Sequence, residues 1–462
     1  MRYRYLGLAF AALFASAASA QKAPKVRIDF VEETLPNGLH VIYSVDKSTP
    51  LIAVEVMYNV GSKNEPVGRT GFAHLFEHVM FKGSKNVADG DHYRLLERVG
   101  ARTGQDYNGT TSFDRTNYFE QIPSQNLELA LWLEADRMGT LTETLTQAKL
   151  DNQREVVKNE KRQSYDNQPY GSWLEKLMSN MYPEANPYHH LPIGSMEDLT
   201  AASLDDIKSF FKTYYAPNNA VLVVVGDFDL ANAKSLVRKQ FAWIPRGPMT
   251  PAVVMPPLAA KLGAPKREVV NDPNAPAPQV YVAYRMPSGK SKENAAVSLL
   301  SGILGGGRSS PLYDYLVRQK QAAVGVSAFN FDIIDAPDIM AFVATGKQAT
   351  NPDSLEASLL DGIDAAIAKI DQTTLDRVRA QARYSFVNSL QLGGGLGASR
   401  ADALAESYTY FKDAGRVNRV LSELDAVTVT QLRALAKEQL VPENRFSLVY
   451  VPRRASSPAG TN

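Results

Sequence analysis

The 462-residue sequence contains no cysteine. Disulfides, thiolate metal sites and cysteine nucleophiles are therefore excluded. Net charge is also missing: 50 Lys and Arg oppose 49 Asp and Glu, for a formal charge of +1. No broad basic field is available for a phosphate backbone, and no nucleic-acid partner is expected. Histidine is scarce, with six in the chain. No segment beyond the first twenty residues is long and apolar enough to span a bilayer. What remains, 44% hydrophobic and 21% charged, is the composition of a soluble globular chain long enough for two or three domains.

The first twenty residues place Arg2 and Arg4 before an apolar run from Leu6 to Phe14, and end in Ala18-Ser19-Ala20. This pattern predicts a cleavable secretory signal over 1–20, with Gln21 opening the mature chain. The run is shorter than a spanning helix needs, and no cysteine follows to carry a lipid anchor. A soluble, exported protein is the expectation.

Nine prolines crowd the stretch 245–278, which reads as an interdomain linker. It divides the chain into an N-terminal domain at 21–244 and a C-terminal domain at 279–455, with a flexible tail at 456–462. The halves repeat. Ser203 opens a predicted helix running to Tyr215, after which Pro217-Asn218-Asn219 leads into the strand 220–225. At an offset of 225, Thr428 opens a second helix, and Pro442-Glu443-Asn444 leads into 445–450. Ser203 and Thr428 suit N-caps, and each proline follows its helix where the helix cannot continue. The expected fold is α+β: two tandem homologous domains, each a mainly antiparallel sheet packed with helices. In the first, strands are predicted at 39–43 and 51–58, and helices at about 70–82, 91–99, 126–138 and 147–164.

Two of the six histidines lie in Gly71-Phe72-Ala73-His74-Leu75-Phe76-Glu77-His78-Val79-Met80-Phe81. Four apart on a helix, His74 and His78 share a face and can present imidazole nitrogen to one ion. Glu77 falls beside that ion without having to bind it, the position of a general base for a metal-bound water. The spacing inverts the common zinc-peptidase helix. A catalytic zinc needs a third protein ligand. The polar helix within 150–168 offers Glu155 and Glu160, and spacing alone does not choose between them.

With these residues the sequence resembles the insulinase/pitrilysin family of zinc metallopeptidases, most closely its processing-peptidase-like group, over nearly the whole mature chain. The helix motif falls on His74, Glu77 and His78. The family's downstream signature, laid on Arg154, Val156 and Val157, implies Glu160 as the metal-binding acid, with Glu155 as the alternative. The acid that precedes it by seven, a support from the second coordination shell, is replaced here by Gln153. Asn108 sits in Gln105-Asp106-Tyr107-Asn108-Gly109-Thr110-Thr111, where Asn-Gly favours a hairpin turn. In the family the matching segment is an edge strand that pairs with the substrate backbone, which implies a substrate contact for Asn108. Family members also reach the substrate carbonyl with an Arg and a Tyr seven residues later. Arg318 matches the Arg, and Gly325 replaces the Tyr, so a partner subunit is one source of the missing group.

Shifted by 225, the motif positions fall on Leu299, Gly302 and Ile303, so no metal site is expected in the second domain. Gly305-Gly306-Gly307-Arg308-Ser309-Ser310 lacks the ending of a phosphate loop, and His189-His190, being adjacent, point different ways. The resemblance implies two domains enclosing a cleft, with one Zn2+ per chain held by His74, His78 and Glu160, and Glu77 as general base. The implied activity is hydrolysis of peptides or unfolded proteins in a bacterial periplasm, by the chain alone or as a homodimer or heterodimer with a related subunit. The competing reading is a non-catalytic structural or assembly subunit.

Overall fold

The computed structural model describes residues 26–391 and 399–452. The expected signal at 1–20, Gln21 and the expected tail at 456–462 lie outside the described residues. The first half builds a six-stranded sheet from β1 (Val31–Thr34), β2 (His40–Val45), β3 (Leu51–Tyr58), β4 (Tyr107–Thr111), β5 (Thr116–Pro123) and β6 (Ala220–Gly226), in the order β1-β2-β6-β3-β5-β4. The second half builds a five-stranded sheet from β7 (Lys266–Asp272), β8 (Gln279–Met286), β9 (Gly325–Asn330), β10 (Asp338–Thr345) and β11 (Arg445–Pro452), in the order β7-β11-β8-β10-β9.

The two orders superpose once β1 is set aside. Each sheet has one parallel pair, β2 with β6 and β7 with β11, and is otherwise antiparallel. The repeat read from the sequence is thus a repeat of topology. Its punctuation is also as expected: Ser203 and Thr428 each cap their helix by accepting from the backbone N–H three residues on, at Asp206 and Gln431. The predicted helix at 126–138 runs on, from Leu127 to Thr144.

One boundary needs correction. The stretch 245–278 is not linker throughout, because β7 lies inside it and pairs along its length with β11. Pro265 and Pro273 bracket a proline-free run, and a strand at a sheet edge tolerates prolines at its ends.

The halves are also more entwined than two beads on a string. The helix Arg400–Phe411, from the second half of the chain, lies on the outer face of the first sheet. Its Ala401, Leu404 and Ala405 pack with Ile42, Ala53, Met57, Val221, Val223 and Val225. This explains the unbroken apolar run of β6, which alternation on a one-sided sheet would not give. All seven of its residues are buried, between this helix on one face and the first half's own helices on the other. Among the described residues, no helix is long and apolar enough to cross a membrane.

Candidate metal centre

Helix α1 (Phe72–Val79) buries Phe72, Ala73, Leu75, Phe76 and Val79 against the first half's core, where Phe76 stacks on Phe211 and Tyr215. That packing fixes the rotation of the helix and turns His74, Glu77 and His78 to its other side. Its start is anchored by Glu65, whose buried carboxylate accepts from the backbone N–H groups of Gly71 at 2.8 Å and Ala73 at 2.7 Å. Negative charge at a helix N-terminus is favourable. His190 donates to the same carboxylate at 3.0 Å and to the Ser62 carbonyl, while His189 donates to the Tyr182 carbonyl. The adjacent histidines hold separate pieces of backbone, as the sequence suggested.

The helix Gln147–Lys161 crosses α1 with Leu150, Gln153 and Val157 buried. Glu160, one turn beyond Val157, reaches both imidazoles: Oε1 lies 3.6 Å from His74 Nε2, and Oε2 lies 3.3 Å from His78 Nε2. One ligand atom from each of the three residues falls within 4.8 Å of the others. Two imidazoles and a carboxylate converging at this separation are a group that could hold a metal ion, and they match in number and kind the three protein ligands of an open zinc site. Among the described residues, no other group of three or more potential ligands is as close. Glu155 points elsewhere, exposed and paired with Lys158 at 2.9 Å. The geometry thus brings together His74, His78 and Glu160, and leaves the alternative acid at the surface.

Burial, with His78 alongside, lowers the His74 pKa to about 4 against the pull of Glu160. Its ring is neutral at physiological pH, with a lone pair free for a cation. Burial raises Glu160, but the His78 hydrogen bond and the two neighbouring imidazoles outweigh it and leave the carboxyl below its usual range. Both shifts favour the protonation states that bind metal. Among the described residues, the buried His74 Nδ1 has no hydrogen-bond partner. Gln153, at the position where the family carries an acid, donates to Asn152 Oδ1 instead.

Glu77 stands beside this cluster, outside the three ligands. Burial pushes its pKa up, while the Thr111 hydroxyl and His78 pull it back. Thr111 Oγ1 donates to Glu77 Oε2 at 2.6 Å. Gly109 has no side chain where one would collide: a Cβ there would lie 2.8 Å from Glu77 Cγ and 3.1 Å from the Tyr118 ring. Gly109→Ala is accordingly expected to leave the sheet intact and displace Glu77, lowering any Glu77-dependent turnover by about 10-fold or more. Parallel measurement of turnover and bound zinc checks this, with zinc content unchanged.

The segment around Asn108 is a strand and not a turn. β4 is the edge of the first sheet, pairing with β5 through Asn108 opposite Phe119, and the chain reverses four residues later at Ser112–Arg115. The sequence allowed both, because Asn-Gly suits a tight turn. The strand wins because Tyr107 and Gly109 bury against the first half while the polar Ser112–Arg115 segment makes the reversal. Asn108 Oδ1 accepts from the Gly109 N–H at 2.9 Å. In the second half, Arg318 pairs with Asp314 at 3.7 Å and lies over the Tyr313 ring. Gly325 opens the edge strand β9, and a Cβ there would meet nothing within 4 Å. Leu299 and Ile303 are buried core residues of the helix Asn294–Gly305, and a Cβ on Gly302 would press on Val378.

Two sheets of common topology, with a His-His-Glu cluster on the helices of the first and apolar packing in the second, define a two-domain chain of the metallopeptidase type. The chain belongs to the peptidase M16, or insulinase, family. Residues 40–191 match the model described as "Insulinase (Peptidase family M16)", and residues 201–382 match that described as "Peptidase M16 inactive domain". It is 32% identical over 380 residues to the zinc protease PqqE of Helicobacter pylori, covering 81% of this chain and 83% of that one. An uncharacterised zinc protease of Mycobacterium tuberculosis is 25% identical over 414 residues, 88% of this chain and 90% of that one. Among solved structures, a protease from Helicobacter pylori superposes with a TM-score of 0.82 at 29% identity, covering 92% of this chain and all of that one. The first half of the periplasmic protease PqqL from Escherichia coli shares the fold at a TM-score of 0.73 and 20% identity, covering 94% and 96%.

Proposed function

We propose that this protein is an exported zinc endopeptidase or oligopeptidase, with its metal held by His74, His78 and Glu160 and its general base at Glu77. The observation that carries the reading is the convergence of those three ligand atoms within 4.8 Å, with Glu77, on the helix that carries the two histidines, beside them and not among them. When bound, zinc supplies the Lewis acidity that polarises a scissile carbonyl and acidifies the attacking water. The protein's own groups do the rest. The neutral His74 ring, the His78 imidazole and the Glu160 carboxylate would hold the ion. Glu77, half-withdrawn from water, takes a proton from the attacking water and returns it to the leaving amine. The outer edge of β4, beyond Tyr107 whose carbonyl accepts from the Gly104 N–H, receives the peptide as an added strand, which gives broad tolerance of side chains, and Asn108 on that strand contacts the substrate backbone.

Export follows from the pattern of residues 1–20, and a bacterial periplasm is the proposed compartment. A second reading has one observation in its favour. Arg318 is engaged by Asp314, and Gly325 carries no side chain, so these two positions do not supply the Arg and Tyr pair for the substrate carbonyl. In that reading the chain is the metal-bearing half of a dimer whose partner completes the site.

One experiment separates these readings: zinc content and cleavage of a mixed peptide library by the purified mature chain, with and without chelator. Stoichiometric zinc and chelator-sensitive cleavage is the expected result. Zinc without cleavage favours the dimer that needs a partner, and absence of zinc overturns the metal assignment.

A further inference from the structure

Glu77 is held from two sides by one strand. On β4, successive side chains alternate between faces, so Tyr107, Gly109 and Thr111 look toward α1 while Asn108 and Thr110 look away. Gly109 leaves the space that the Glu77 stem fills, and two residues on Thr111 supplies a hydroxyl to its carboxylate at 2.6 Å. No other hydrogen bond to this carboxylate occurs among the described residues. The strand itself is pinned at the adjacent position. Arg115 donates to the Thr110 carbonyl and hydroxyl, and Thr110 in turn donates to Asn117 Oδ1.

We infer that Thr111 is a positioning residue for the general base: its hydroxyl fixes the Glu77 carboxylate through Oε2 and reserves Oε1 for the proton taken from the attacking water. The inference rests on the reading of Glu77 given above. A carboxylate has two oxygens and rotates about a soft terminal torsion. While the hydroxyl donates, its bond occupies Oε2 and holds the carboxylate plane, and the lone pairs of Oε1 are the open acceptor for an incoming proton. The strand whose outer edge is proposed to take the peptide therefore also sets the orientation of the base. A shift of β4 on substrate pairing would move Glu77 with it, so alignment of the peptide and alignment of the base are mechanically one event.

The test compares Thr111→Val, which keeps the shape and removes the donor, with Thr111→Ser, which keeps the donor, and Thr111→Ala as a second deletion should Val fold poorly. Each is measured as the zinc-loaded chain for kcat, KM and zinc content. Thr111→Val should lose about 10- to 100-fold in kcat, the usual cost of removing a group that orients a reacting residue, with KM within about twofold and zinc retained. Thr111→Ser should recover most of the loss. Crystal structures of the zinc-loaded parent and Thr111→Val give a readout independent of turnover: the Glu77 carboxylate should be displaced or split between conformers in the variant. An unmoved Glu77 carboxylate in Thr111→Val, a loss confined to KM, or equal impairment of Ser and Val would each overturn the inference. Glu77→Gln run alongside keeps the two levels apart. If it is inactive while Thr111→Val turns over normally, only the positioning role fails; if it is active, the base assignment fails and this inference with it.

Discussion

Glu77→Gln should lower peptide hydrolysis by about 10²- to 10⁴-fold, the contribution of a positioned general base, while the protein keeps its zinc. The substitution is close to isosteric, and the surroundings of Glu77 accept a neutral side chain readily. Burial already disfavours its charged form, the Thr111 hydroxyl can donate to an amide oxygen as it does to Oε2, and the space below Gly109 accommodates the same stem. None of the three clustered ligand-type atoms, from His74, His78 and Glu160, belongs to Glu77. The loss should therefore fall on kcat, with zinc content and thermal midpoint unchanged. Steady-state kinetics on one peptide, with metal analysis of the same preparation, checks this. A variant that remains active in zinc-replete buffer removes Glu77 from the chemistry and leaves the His-His-Glu cluster as a bare metal site.

The parts of this molecule that were legible in its sequence are those set by local rules. His74 and His78 share a face because four residues make about one helical turn. The caps at Ser203 and Thr428, and the prolines that close those helices, announce the repeat because N-caps and helix stops are short-range chemistry. The features that were not legible depend on what lies across a gap. Nothing local to Asn108-Gly109 separates a turn from a strand; the answer comes from Gly109 burying beside Glu77 of α1 and Tyr107 burying against Tyr93 and Glu97 of the helix Asp91–Arg98. The helix Arg400–Phe411 covers a sheet whose last strand ends far earlier in the chain, at Gly226, a pairing no periodicity in either segment specifies, although the two-sided apolar character of β6 was a signal that something must cover its second face. The strand β7 hides among prolines because its partner, β11, lies at the other end of the second half. Thr111 escaped notice for the same reason. A threonine in a polar strand carries no sequence signal, and its meaning comes from the Glu77 carboxylate 2.6 Å away.

The choice between Glu160 and Glu155 falls between these cases and gives the second large effect. On the helix Gln147–Lys161 the buried residues Leu150, Gln153 and Val157 recur at three and four, and Glu160 continues that stripe where Glu155 leaves it. The stripe packs on α1, so only Glu160 can reach the imidazoles, as its contacts at 3.6 and 3.3 Å record. Glu160→Gln should therefore weaken zinc binding by about 10²-fold or more, since groups one shell further out already cost 10- to 100-fold. It should also remove the zinc-dependent part of the stability. A ligand that binds only the folded chain adds about 2.7 kcal/mol at 100 times its dissociation constant, so the parent should melt several degrees higher with zinc than with chelator, and Glu160→Gln should show little difference. Glu155→Gln gives up an exposed contact with Lys158 and should match the parent in zinc affinity and in the chelator-dependent shift. Thermal unfolding of all three proteins, with zinc and with chelator, reads both quantities together. Loss of the shift in Glu155→Gln with its retention in Glu160→Gln would reverse the ligand assignment. Loss in neither would mean that the two imidazoles hold the ion without either acid.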